Sequence, residues 1–237
     1  MLLQVKDLNT YYGMSHALQN ISLTVDKGEI VALLGRNGMG KSTTLKSIMG
    51  LVKPRSGSIL FKGKDVTGLL PYKVARAGIG YVPEERRIFP ELTVVDNLNI
   101  GIKGGKKAAG NGTQWTVERI FEHFPKLKER ATSKGKFLSG GEQQMLTMGR
   151  SLMGNPDLLL VDEPSEGLSP LMVQEVRDIL AEINKVGVSI LLVEHNFKVA
   201  MFLANRVYLM GKAHVGFSGT KEDLENSPDV REKYMEV

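Results

Sequence analysis

The chain has 237 residues, enough for one large α/β domain with a generous core or for a core domain carrying a smaller subdomain, and the second is expected. Its 42% hydrophobic and 24% charged residues match an ordinary soluble protein, and apolar runs such as Val199 to Ala204 stop far short of the roughly 18 residues a membrane span needs. The absence of cysteine excludes disulfides and thiolate metal sites. The net charge of +5 comes from scattered basic residues; the densest cluster, Lys103 to Lys107, lacks interleaved aromatics and is expected as a solvated loop or a weak contact with an anionic membrane surface, not as a nucleic-acid site.

Met1 to Lys6 moves straight into an alternating strand pattern, so neither a signal peptide nor a lipidation motif is expected. Strands are predicted over Leu2 to Leu8, Ile21 to Val25, Ile30 to Leu34, Ser58 to Phe61, Ile79 to Val82, Leu158 to Val161, Ser189 to Val193 and Arg206 to Met210. The runs at Ile30, Leu158 and Ser189 are continuously apolar, as buried parallel strands tend to be, whereas the early strands alternate and join through short turns such as Asp26-Lys27-Gly28. A mixed sheet follows, with a parallel core flanked by an antiparallel part. Between about Leu92 and Gly135 no strand run occurs. Thr93 with Asp96 resembles a helix-capping pair, Trp115 to Phe124 has the pattern of a short amphipathic helix, and Gly101 to Gly112 is expected as a mobile loop. This stretch, 92–135, is predicted to be a helical subdomain inserted into a core formed by 1–91 and 136–237.

Gly35-Arg36-Asn37-Gly38-Met39-Gly40-Lys41-Ser42-Thr43 fits the GxxxxGK[ST] phosphate loop and lies between a buried strand and a helix, where the mechanism needs it. Glycines let successive backbone N–H groups close around phosphate oxygens, and the helix N-terminus adds positive potential. In such loops the lysine, here Lys41, reaches the β- and γ-phosphates of a nucleotide and the hydroxyl of Ser42 ligates Mg²⁺. Leu158-Leu159-Leu160-Val161-Asp162-Glu163 puts two carboxylates at the end of an apolar strand. Asp162 is the candidate holder of the Mg²⁺ shell. Glu163 is placed to orient an attacking water or take its proton.

Leu138-Ser139-Gly140-Gly141-Glu142-Gln143-Gln144 precedes a predicted helix and supplies a second anion-binding helix start. With the phosphate loop and the paired carboxylates, it makes the sequence similar to the ATP-binding subunits of ABC transporters over essentially the whole chain. The resemblance implies a P-loop ABC-type ATPase core of α/β class, ATP and Mg²⁺ as cofactors, and a signature (Ser139, Gly140, Gly141, Glu142) that completes the ATP site of a second ATPase subunit, either a second copy or a related one. It further implies two membrane permease subunits, an indirect periplasmic solute-binding partner, no nucleic acid, and a peripheral place at the cytoplasmic face of the inner membrane.

Other residues take roles from the same resemblance. Tyr12 corresponds to the aromatic that stacks on adenine, with Tyr11 beside it as the alternative, and His195 resembles the switch histidine of the γ-phosphate. The loop Ser165-Glu166-Gly167-Leu168-Ser169 resembles the one that crosses the dimer interface, although the Asp often found at its end is here Ser169. Glu84 stands where the family usually has Gln, facing the nucleotide and its metal or turned outward to pair with Arg86 or Arg87. With the continuation Arg86 to Thr93, it makes the chain look like the smaller ATPase subunit of branched-chain amino acid importers. Urea and other amide or amino acid importers stay open, as does, from another class, a soluble ABC-type ATPase acting on nucleic acid or the ribosome.

Overall fold

A computed structural model of the chain describes residues 1–103 and 114–235. Residues 104–113, which hold most of the Lys103 to Lys107 cluster and of the expected mobile loop Gly101 to Gly112, lie outside the described residues. Lys103 itself departs from the expectation of a solvated lysine. It is half-buried, and its Nζ donates to the carbonyl of Ala75 at 2.7 Å.

The chain opens with a hairpin of β1 (Leu3–Tyr12) and β2 (Ser15–Val25), turned at Gly13 and Met14, with Leu3, Val5 and Leu8 buried on one face. β2 starts six residues before the predicted Ile21, because its polar first half is carried by pairing with β1 across a bulge. Asp26 to Gly28 leads into β3 (Ile30–Leu34), and the phosphate loop leads from β3 to α1 (Lys41–Ile48). β4 (Ser56–Phe61) and the two-residue β5 (Lys64–Asp65) add to the hairpin, then α2 (Pro71–Ala77) precedes β6 (Ile79–Val82).

The next described residues are helical: α3 (Val94–Ile100), α4 (Val117–His123), α5 (Pro125–Glu129) and α6 (Gly140–Leu152). The Thr93 hydroxyl and the Asp96 carboxylate close a reciprocal capping box on α3. α4 is shorter than the predicted Trp115 to Phe124, because Thr116 caps it and Trp115 instead donates its backbone N–H to Asn155 at 2.6 Å. Then come β7 (Leu158–Asp162), α7 (Pro170–Lys185), β8 (Ser189–Val193), α8 (Phe197–Leu203), β9 (Arg206–Gly211), β10 (His214–Thr220), α9 (Lys221–Glu225) and α10 (Pro228–Met235).

The strands form two sheets where one was expected. A six-stranded mixed sheet runs β10-β9-β3-β8-β7-β6, parallel except for β10, and a four-stranded antiparallel sheet runs β2-β1-β4-β5. The split follows from side-chain alternation. Val31, Leu33, Leu160 and Val193 on one face of the larger sheet pack with Leu3, Val5 and Ile59 of the smaller sheet and with Leu45 of α1, forming a shared core. Leu159, Val161 and Ile190 on the opposite face pack against α6 and α7. β7 is therefore buried on both sides, with Leu158 to Val161 fully inaccessible, each such side chain contributing about 1.5–3 kcal/mol. Because β3, β8 and β7 are parallel neighbours, the loops leaving their carboxyl ends converge, the usual place for a ligand in such a sheet.

Candidate functional site

The loop after β3 is shaped by glycine. Gly40 sits at φ 98°, and a Cβ there would lie 2.7 Å from Leu18 and 2.8 Å from the Ala17 carbonyl. At Gly35 a Cβ would stand 2.4 Å from the Met210 carbonyl, so β9 holds the loop's origin tightly against the sheet. Lys41 begins α1 and is buried; its Nζ donates to the carbonyls of Gly35 at 2.8 Å and Arg36 at 3.2 Å, inside the loop.

Three elements bring acidic and polar groups to this lysine. From the end of β7, Asp162 accepts from the Ser42 hydroxyl at 2.8 Å and from the Tyr81 hydroxyl at 3.0 Å. Burial pushes the Asp162 carboxyl up from its ordinary value, and those two hydrogen bonds oppose the push. Burial also raises the Tyr81 phenol, reinforced by the Asp162 charge, so Tyr81 remains a donor. Glu163 follows in a left-handed backbone conformation, φ 43°, which costs about 1–3 kcal/mol in a residue with a side chain. Its backbone N–H to the Val193 carbonyl (2.9 Å) and its carboxylate contacts with Lys41 Nζ (3.4 Å) and His195 Nδ1 (3.1 Å) hold it there. The other ring nitrogen of His195 lies 3.2 Å from Glu166.

A cavity of about 710 Å³ lies over this cluster. Asn37, Gly38, Gly40, Lys41, Ser42 and Thr43 form its floor, with Glu84 and Glu163 at one side. Tyr12 and Ser15 to Ala17 form another wall, and Lys212 and Ala213 of the β9–β10 turn a third, tied to β2 by the Gln19 N–H to the Ala213 carbonyl at 2.9 Å. Tyr12 is half exposed in the cavity, whereas Tyr11 stacks on His16 with centroids 4.0 Å apart. Glu84 faces the cavity, and burial, followed by the charges of Glu163 and Asp162, raises its carboxyl pKa. The two arginines take other partners: Arg87 pairs with Glu85 at 3.3 Å, and Arg86 donates to the Glu166 carbonyl at 3.0 Å.

The donor set suits Mg²⁺, which takes hard oxygen ligands. Ser42 Oγ and Asp162 Oδ1 lie 2.8 Å apart at the phosphate loop, and Ser42 and Glu84 both line the cavity, whereas Asp162 sits behind Ser42 and does not. The Ser139 signature is elsewhere. Ser139 caps α6 in a reciprocal box with Glu142, whose carboxylate accepts the Ser139 N–H at 2.7 Å, and neither Ser139, Gly140, Gly141 nor Glu142 lines the cavity. Sequence reading missed Tyr81 as a partner of Asp162, Lys212 on the cavity wall, and the buried Glu194 next to His195. The only local signal for the last was a charged residue closing an apolar strand.

A phosphate loop between a parallel strand and a helix, with a carboxylate pair at the end of a parallel strand one place beyond its neighbour β8, defines a P-loop nucleotide hydrolase. Comparison with known proteins narrows the class. Residues 18–166 match the ABC transporter family model. The chain is 41% identical over 234 residues to the high-affinity branched-chain amino acid transport ATP-binding protein BraG of Pseudomonas aeruginosa, covering 99% of each chain. It is 32% identical to the lipopolysaccharide export system ATP-binding protein LptB of Haemophilus influenzae, covering 99% of this chain and 97% of that one. Its fold superposes on the dimeric post-hydrolysis state of the ATP-binding cassette MJ0796 bound to ADP and Pi, with a TM-score of 0.79, 25% identity, and 93% and 99% coverage. The chain belongs to the ABC transporter ATP-binding family and is an ATPase.

Proposed function

We propose that the chain powers import of branched-chain amino acids, binding ATP on the cavity over the phosphate loop and hydrolysing it at a site completed by a second ATPase subunit. The observation that carries the composite site is the separation of its parts: Lys41, Ser42 and Glu163 share one cavity, while the exposed cap Ser139 contributes nothing to it. A helix start with free N–H groups and a capping hydroxyl suits an anion, and the γ-phosphate held by another subunit is such an anion. For the purified chain the partner is a second copy; in the intact transporter it is a related ATPase. The likeness to a cassette solved as a dimer supports this reading.

Within the site, Lys41 and the amides of Gly35 to Thr43 hold the phosphates, and Tyr12 stacks on adenine. Ser42 and Asp162, with Glu84, hold Mg²⁺, which supplies charge neutralisation when bound. Glu163 orients the water and takes its proton, and His195 senses the γ-phosphate. The core comprises 1–91 and 136–237, and the helical subdomain 92–135 carries the nucleotide state from Glu84 towards two permease subunits at the cytoplasmic face of the membrane. Among the described residues no helix is long and apolar enough to cross a membrane, which suits a peripheral subunit.

The solute rests on the likeness to BraG; the LptB likeness, 32% over a similar length, favours export as the second reading. Vesicles containing the chain with its permease subunits and solute-binding protein separate the two. ATP-dependent uptake of leucine, isoleucine or valine supports import, and hydrolysis indifferent to amino acids contradicts it.

A further inference from the structure

Glu194 is fully buried, and among the described residues no lysine or arginine forms an ion pair with it. A buried carboxylate without a cation is costly unless hydrogen bonds hold it, so its partners indicate what the position is for. They come from two loops. The Ser165 hydroxyl donates to both carboxylate oxygens, at 2.7 and 3.0 Å, and the backbone N–H groups of His195 and Asn196 donate to Oε1 at 3.2 and 3.1 Å.

Helix capping does not account for the arrangement. α8 is capped by the Asn196 side chain, which accepts the Val199 N–H, and α7 is capped by Ser169. The carboxylate instead ties the turn after β7 to the turn after β8. Ser165 stands two residues beyond Glu163, and His195 is the next residue after Glu194, so the clasp joins the two backbones that carry the 3.1 Å contact between Glu163 and His195. Glu194 is fully buried and does not line the cavity.

We infer that Glu194 and Ser165 form a positioning pair that fixes Glu163 relative to His195, and so sets the rate of ATP hydrolysis without contributing to ATP binding. The inference rests on the reading that Glu163 and His195 act at the reacting phosphate. A glutamine at 194 keeps the shape and a carbonyl acceptor for the His195 and Asn196 N–H groups, but it loses the charge and can hold the Ser165 hydroxyl through its NH₂ only with donor and acceptor reversed, which weakens the clasp.

Steady-state kinetics of the purified chain, with ATP affinity by equilibrium titration and Tm measured alongside, test it. Glu194→Gln and Ser165→Ala are each expected to lower kcat about tenfold or more with ATP affinity within twofold, and the double variant to lose no more than the worse single one. Ser165→Thr retains the hydroxyl and should keep kcat within about threefold. A merely structural role would lower Tm and affinity together with kcat. Should Glu194→Gln fail to fold, the Ser165 pair carries the test. Wild-type kcat in Ser165→Ala or Glu194→Gln, multiplicative losses in the double variant, or equal losses for Ala and Thr would overturn the inference. Glu163→Gln in the same assay separates the two levels: if it turns over normally the reading of the site fails, and if it is inactive while Glu194→Gln is normal only the positioning pair fails.

Discussion

The two helix starts that the sequence singles out, at α1 and α6, have opposite surroundings. At α1 the loop is enclosed: Lys41 is buried, Asp162 and Glu163 close in from β7, and a cavity opens over them. At α6 the capping residue Ser139 is exposed, its hydroxyl accepts the Glu142 N–H in its own capping box, and it does not line the cavity over the phosphate loop. On the proposed reading the first region is a nearly finished site and the second is half of one, left exposed for a contact with another chain.

Damage to the enclosed region should therefore affect chemistry and binding within one chain, with effects graded by proximity to the reacting atoms. Glu163→Gln keeps the shape and removes the proton acceptor, so ATP affinity should hold while turnover falls about a hundredfold or more, roughly 2.7 kcal/mol of barrier. Phosphate release alongside equilibrium ATP titration checks it, and turnover within twofold of wild type would refute the role. Lys41→Ala removes a charge-assisted contact worth about 1.5–3 kcal/mol, so affinity itself should drop about tenfold or more, with turnover following.

Smaller effects sharpen the metal side of the enclosed region. Tyr81→Phe removes one of the two hydrogen bonds that hold the Asp162 carboxyl down against its burial, so that carboxyl rises further. If Asp162 holds Mg²⁺ as proposed it must be ionised, so activity should then be lost at a higher pH on acidification, with half-maximal Mg²⁺ up by about three- to tenfold. A pH–rate profile and a Mg²⁺ titration read both, and unchanged curves would remove Tyr81 from the account. Glu84→Gln relieves the repulsion among Glu84, Glu163 and phosphate, so turnover should change by no more than about threefold while dependence on Mg²⁺ weakens. Glu84→Ala should keep hydrolysis but lower solute uptake per ATP in reconstituted vesicles, and normal coupling would deny Glu84 its link to the helical subdomain.

The contrast also shows what a sequence makes legible. The phosphate loop and the Asp162–Glu163 pair are local in the chain, and β3 and β8 have their predicted ends because continuous apolar runs stop where the sheet does. β10 carries Gly216, Ser218 and Gly219 in an alternation too polar to announce a strand, and β5 is two residues long; both exist through their neighbours, β9 and β4. That the early strands form a separate sheet depends on which faces meet, and strand patterns do not encode this. Tyr81 and Asp162 are 81 residues apart, and Ser165 and Glu194 are 29 apart, so contacts of this kind appear only once the fold brings them together.

The claim that the enclosed region of one chain works with the exposed region of another is tested most directly by mixing two inactive variants. Lys41→Ala spoils the phosphate loop and leaves Ser139 intact; Ser139→Arg fills the space where a facing γ-phosphate must dock and leaves Lys41 intact. Each alone should hydrolyse ATP at a small fraction of the wild-type rate. Mixed in equal amounts, they should regain substantial turnover, because a hybrid dimer pairs the sound phosphate loop of one chain with the sound Ser139 of the other. A mixture no more active than the sum of its parts, or full activity in Ser139→Arg alone, would contradict the composite site.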